Sequence, residues 1–180
     1  MEKAGFLRFN RCVENLANYG LLFSYRIDYD NDETAFHPTV REQPFFNEWK
    51  RKNIDNYLLV PHAWKRAVKR ESNIQELFLE PYNSVIDKFF SERGLILIKG
   101  SSWKNIKTPG FDLVDGKKLL FENQDSLFEQ IKNIEDTKLK INRSSVATAM
   151  TQDEIHEDVL LFFDNLKIIV EQGNIIPEKL

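Results

Sequence analysis

The sequence predicts an α/β fold, with a partial parallel sheet flanked by helices and a helical C-terminal unit. Two observations lead to this prediction. A short apolar and aromatic run at residues 21–27 ends in several carboxylates and has the length of a buried strand. Longer segments before and after it carry apolar residues at helical spacing, and the clearest of these runs from Ile155 to Val170.

The elements of the first half follow from apolar periodicity and from the positions of proline and glycine. Residues 6–19 have helical spacing, and Gly20 is placed to end that helix before the strand at 21–27. Phe45 begins a second short strand. Pro61 suits the first turn of a basic helix, because proline fits where no N–H partner is needed. A further helix is expected over residues 74–91, kinked or divided by Pro81.

The second half begins with a third candidate strand, the apolar run at 95–98. A long loop containing three glycines follows, and loops of this length are usually functional. Residues 119–134 read as a helix. Thr151 and Glu154 have the spacing of a capping box at the start of the last helix. We expect one domain, with a core in residues 1–60 that holds the acidic strand and a mainly helical part in residues 61–180.

Composition limits the class of protein. A formal net charge of −3 over 180 residues excludes a general DNA-coating protein and an acidic disordered chain. Cys12 is the only cysteine, which excludes an intramolecular disulfide and favours a reducing compartment. No run approaches the ~20 apolar residues of a membrane span, and the N-terminus lacks a signal-peptide pattern. We expect a soluble, cytoplasmic protein that is not a membrane protein.

Local charge predicts a surface for a polyanion. Residues 49–70 contain seven basic residues against the single acid Asp55, a local charge of +6. Such a segment could hold the phosphate backbone of DNA without reading sequence. A solvated helix face is the alternative. The candidate phosphate-binding residues are Lys50, Arg51, Lys65, Arg66 and Lys69.

Carboxylates at the end of the strand predict a divalent metal. Asp28 and Asp30 alternate directly after residues 21–27, so both could project to one side of the chain. Oxygen-rich sites with few protein ligands suit Mg²⁺ or Mn²⁺. An EF-hand is excluded, because its required glycine and glutamate positions hold Glu33 and Thr39. A solvated acidic turn stays open as the alternative.

Four features in order resemble a known family. An Asp-x-Asp strand, the segment KRKNIDNYLLVP with its basic helix, a Trp103 loop with Gly116-Lys117, and a final helical unit follow one another. This order is similar to the Toprim domain of the OLD (overcoming lysogenization defect) family of ABC-ATPase-coupled endonucleases, over residues 6–170. The resemblance implies phage-defence or mobile-element function, DNA as substrate, and an ABC-type ATPase chain or domain as a partner. An oligomer stays open.

The resemblance also implies residue roles. Asp28 and Asp30 match the metal ligands of the family. Asp55 stands where the family usually has a glutamate, and this shorter acid could bind a second ion or form a salt bridge with a neighbouring base. Lys117 matches a lysine that stabilises charge at the scissile phosphate, with Lys118 as the alternative for this place; a solvated lysine at the start of a helix is the other interpretation of Lys117. The chemistry implied is metal-dependent phosphodiester hydrolysis.

One departure from the family changes the functional expectation. The family pattern begins with a glutamate-bearing strand, and this sequence starts within the helix that should follow it. We therefore expect an N-terminally truncated Toprim domain, incomplete or inactive alone. A non-catalytic module that binds nucleic acid or an ATPase is the alternative, and a truncated product without function is a third. His156, isolated in sequence, is expected to be neutral and structural.

Overall fold

A computed structural model of the protein describes residues 25–27, 46–72, 78–134 and 139–171. The described residues divide into two compact units. Among the described residues, the larger contains Trp49–Asp158, and the smaller contains two short strands and residues 159–171. The unit boundaries among described residues therefore fall after Glu48 and after Asp158.

The predicted parallel sheet flanked by helices is wrong for the described residues, of which 58% are helical. Extended structure there is limited to β1 (Tyr25–Ile27) and β2 (Phe46–Glu48), three residues each, which pair in parallel. Both lie in the smaller unit, and the described part of the larger unit contains no strand. Helices, and not a sheet, therefore make up the described part of the larger unit.

The apolar run at 95–98 is not a strand. Leu95 follows α2 (Glu80–Glu92) closely, and its N–H donates to the carbonyl of Phe90 at 2.9 Å. Leu95 is buried, whereas Ile96 and Ile98 are exposed. Four apolar residues do not distinguish a strand from the connection that closes a helix, which is why periodicity failed here.

The larger unit is built from short helices that surround one core. In chain order its helical elements are a 3₁₀ helix (Ile54–Leu58), α1 (Pro61–Ser72), α2, α3 (Pro109–Asp112), a π-helical turn (Lys118–Glu122), α4 (Leu127–Lys132), α5 (Arg143–Thr148) and the first residues of α6 (Glu157–Glu171). None of the described helices has the length and apolar content that crossing a membrane requires.

Proline and glycine set the limits of the first two helices. Pro61 opens α1, as predicted, and its fixed φ suits the first turn. Pro81 lies in the first turn of α2, so it opens that helix and does not kink it. After α2, Gly94 adopts a φ of +64° and its N–H donates to Ser91 O at 3.0 Å. A left-handed residue at this point ends the helix.

Two predicted helical features take different positions. The expected helix over residues 119–134 is divided into the π-helical turn and α4, and the Ser126 side chain caps α4 by accepting from Glu129 N. Thr151 N donates to the Glu154 carboxylate at 2.9 Å, but α6 begins only at Glu157. The reciprocal capping box is found instead at α5, where Asn142 and Ser145 bind each other's backbone N–H groups.

The core forms where α1 packs against α2 and α5. Ala63 and Ala67 are completely buried on α1, and small side chains allow neighbouring helices to approach closely. Trp64 is also completely buried, and its indole N–H donates to Leu58 O at 2.9 Å. The core therefore fixes the 3₁₀ helix against α1. Asp55 lies on the 3₁₀ helix.

Candidate functional site

Asn56 joins the 3₁₀ helix, through hydrogen bonds, to the segment that contains Gly116 and Lys117. Its side chain is completely buried. The amide group donates to Phe111 O at 2.8 Å and to Val114 O at 2.9 Å, and its oxygen accepts from Gly116 N at 3.0 Å. The basic segment and the Gly-Lys pair, which the sequence separates, therefore lie against each other.

Asp55 is buried and bound to an arginine. Its side chain is 4% exposed, and both of its oxygens accept from Arg143 Nε, at 2.8 and 3.1 Å. The hydrogen bond that Arg143 donates to Asp55 is the main cause that raises the pKa of Arg143. Sequence reasoning missed Arg143, because its partner lies 88 residues away and no local spacing links the two.

Arg143 and Lys117 meet at a second carboxylate. Arg143 Nη2 lies 3.7 Å from Glu122 Oε1, and Lys117 Nζ lies 3.1 Å from the same oxygen. The exposed fraction of the side chain is 48% for Arg143, 52% for Lys117 and 42% for Glu122. The guanidinium also lies over the Phe121 ring, 4.6 Å from its centroid. We call Asp55, Arg143, Glu122 and Lys117 the charge network.

The charge network brings together two of the predicted site residues, Asp55 and Lys117. The other predicted metal ligands, Asp28 and Asp30, lie outside the described residues. Arg143 Nε donates to both oxygens of Asp55, so this carboxylate forms an ion pair in the structure. The described part of the chain contains no group of three or more His, Cys, Asp or Glu that could hold a metal ion.

Arg51, a predicted phosphate-binding residue, is buried. Its side chain is 4% exposed and donates to Asn56 O at 2.8 Å and to Ile106 O at 3.1 Å. Its Nε lies 3.4 Å from Asp112 Oδ1, and its guanidinium lies 4.9 Å from the Tyr57 ring centroid. Burial is the main cause that lowers its pKa. This placement joins chain segments and does not present Arg51 to a ligand at the surface.

The other predicted phosphate-binding residues lie at or near the surface, and several contact acids. Lys50 Nζ lies 3.8 Å from Asp158 Oδ1, and Lys65 Nζ lies 2.6 Å from Asp87 Oδ2. Arg66 Nε donates to Ala149 O at 2.7 Å. Arg66 also pairs with Glu154, and Lys69 is exposed on α1. The local excess of positive charge is thus partly balanced by acids from distant segments.

A buried polar cluster fixes the start of α6. The Tyr57 hydroxyl donates to Asp158, whose own N–H donates to His156 Nδ1 at 3.1 Å. His156 Nε2 then donates to Ile106 O, 3.3 Å away. Burial, followed by the nearby charge of Arg51, lowers the pKa of His156 to about 4. The expectation of a neutral, structural His156 is confirmed.

Comparison with known proteins adds no relative. No protein-family model matches this chain, and no curated protein or solved structure matches it either.

Proposed function

We propose that this chain is part of a metal-dependent DNA endonuclease similar to the OLD-family Toprim domain. One observation carries the proposal. Two motifs that the resemblance treats as parts of one active site lie against each other, since Gly116 N donates to Asn56 Oδ1 across 60 residues of sequence. The charge network then links Asp55 to Lys117 through Arg143 and Glu122.

Lys117 is the described residue best placed for phosphate chemistry. It directly follows Gly116, whose position is fixed by Asn56, and its side chain is 52% exposed. A lysine held in this way can offset negative charge that develops on a phosphate oxygen. The divalent ion of this proposal, Mg²⁺ or Mn²⁺, would be held by Asp28 and Asp30, because Asp55 is bound to Arg143.

Plasmid nicking tests the proposal. Relaxation of supercoiled DNA is expected with Mg²⁺ or Mn²⁺, and not with EDTA, when a polypeptide that supplies the missing glutamate-bearing strand is added, and Asp28→Asn/Asp30→Asn should abolish it. Lys117→Gln should lower the rate by about a hundredfold, the scale of losing one electrostatic stabiliser. Asp125→Asn/Asp164→Asn is the matched control, because both acids are exposed and lie outside the charge network. Nicking that survives loss of Asp28 and Asp30, or its absence with either metal even when the glutamate-bearing strand is supplied, contradicts the proposal.

The contact between Arg143 and Asp55 favours a second candidate function, a non-catalytic binding module. Since Arg143 binds both oxygens of Asp55, the described residues suit a non-catalytic module that binds nucleic acid or an ATPase partner. Such a module would bind DNA with an affinity that falls steeply with salt and does not change with EDTA. Metal-dependent nicking that requires Asp28 and Asp30 would eliminate this function.

A further inference from the structure

Two cations share one carboxylate oxygen at the surface of the larger unit. Glu122 Oε1 lies 3.1 Å from Lys117 Nζ and 3.7 Å from Arg143 Nη2. Each of the three side chains is about half-exposed. An anion from solution can therefore take the place of the Glu122 carboxylate between Lys117 and Arg143 without any change in the core.

Arg143 is held in place independently of Glu122. Its Nε binds the buried carboxylate of Asp55, and its guanidinium lies 4.6 Å from the Phe121 ring centroid. A side chain fixed in this way keeps its position when Glu122 moves away. Lys117 is fixed at its backbone, because the preceding residue, Gly116, is bound to Asn56.

We propose that Lys117 and Arg143 form a binding site for a phosphodiester group of DNA, and that Glu122 is an internal competitor occupying this site in its absence. The proposal rests on the proposed function for the identity of the ligand, and it adds Arg143 and Glu122 to the site. A phosphodiester presents two charged oxygens, which suits a planar guanidinium beside an ammonium group. The carboxylate of Glu122 has the same charge and a similar pair of oxygens.

The competition predicts that substituting Glu122 and substituting either Lys117 or Arg143 change DNA affinity in opposite directions. Glu122→Gln removes the competing charge and should raise DNA affinity about fivefold, the upper range for an exposed ion pair. Lys117→Gln and Arg143→Lys should each lower affinity. Lys117→Gln should also reduce the salt slope by about one. Arg143→Lys retains a positive charge beside Asp55 and so preserves folding, but it removes the guanidinium Nη2 that lies near Glu122.

Affinity measurements on the full chain test the competition directly. The probe is a short fluorescein-labelled duplex DNA, measured by anisotropy in EDTA so that cleavage does not contribute. Glu129→Gln is the matched control, because Glu129 is a partly exposed partner of Lys132, at 3.4 Å, near the same turn. The increase in DNA affinity caused by Glu122→Gln should be smaller in a Lys117→Gln background, since Glu122 and Lys117 contact each other.

A second readout does not depend on DNA. Titration with inorganic pyrophosphate should shift the Arg143 Nε–H resonance in the wild type and shift it at lower concentration in Glu122→Gln. Equal DNA affinity for Glu122→Gln and Glu129→Gln, or an Arg143 resonance that pyrophosphate leaves unchanged, would overturn the phosphate site. Loss of metal-dependent nicking with these responses intact would instead overturn only the proposed nuclease.

Discussion

The backbone N–H of Gly116 donates to Asn56 Oδ1 at 3.0 Å, and a Cβ atom added to Gly116 would lie 2.5 Å from that same oxygen. Such a Cβ would also lie 2.7 Å from Asn56 N, so the obstacle includes backbone. Glycine is needed here for close approach. The contact is what places Lys117 beside the segment that carries Asp55.

Gly116→Ala should therefore destabilise the larger unit by about 1–3 kcal/mol, the usual cost of overpacking a buried contact. Urea denaturation followed by tryptophan fluorescence measures the change. Gly110→Ala is the control, because the nearest atom to its added Cβ is 3.8 Å away and belongs to the Leu95 side chain. Equal effects of the two substitutions would show that the close contact does not matter.

His156 should make stability depend on pH. Its pKa falls from 6.5 to about 4 on folding, so between these values the unfolded chain binds a proton that the folded chain does not. The free energy of unfolding should therefore decrease as pH falls from 6.5 toward 4, by at most about 3 kcal/mol. Denaturation across this range should show a smaller slope for His156→Asn. His62→Asn, at an exposed position of α1, should keep the wild-type slope.

The Asp55–Arg143 pair should show strong coupling. Arg143→Gln leaves a carboxylate that is 4% exposed without its guanidinium, which should cost about 1–3 kcal/mol after allowance for the half-exposed arginine. Asp55→Asn/Arg143→Gln should recover part of this loss, because the uncompensated charge is gone. A double-mutant cycle by chemical denaturation measures the coupling, and strictly additive losses would contradict the ion pair.

Tyr57 should stabilise the start of α6 through its hydroxyl. Tyr57→Phe removes a donor from Asp158, which is 1% exposed, at a cost of about 1–3 kcal/mol. The ring packing against Trp49 and His156 is retained, so the loss reports on the hydrogen bond. Hydrogen exchange of the first amides of α6 should speed up more than that of α2. Unchanged exchange at α6 would remove this role.

Local signals in the sequence were sufficient for some elements. Proline in a first turn and regular apolar spacing located α1, and the absence of metal-ligand spacing around His156 indicated a neutral, structural histidine. Both features depend on neighbours in sequence. The run at 95–98 shows the limit of such signals, since its four apolar residues close α2 and form no strand.

The charge network depended on contacts that no local pattern encodes. Asp55 and Lys117 were singled out, but Arg143 and Glu122, which join them, were not. Likewise, the basic segment at 49–70 looked unbalanced only because Asp87 and Asp158, which lie beside Lys65 and Lys50, come from distant parts of the chain. Partners of this kind are fixed by packing, and packing is a property of the folded chain.

Asp158 also sets the two ends of the larger unit side by side. Its carboxylate accepts from the N–H of Lys50 at 3.4 Å, so the first and last residues of the segment 49–158 lie close together. A module with adjoining termini tolerates circular permutation and can be grafted into a surface loop of a host protein with little disturbance. Since Lys50 and Asp158 are neighbours, a short linker could join these two points of the chain.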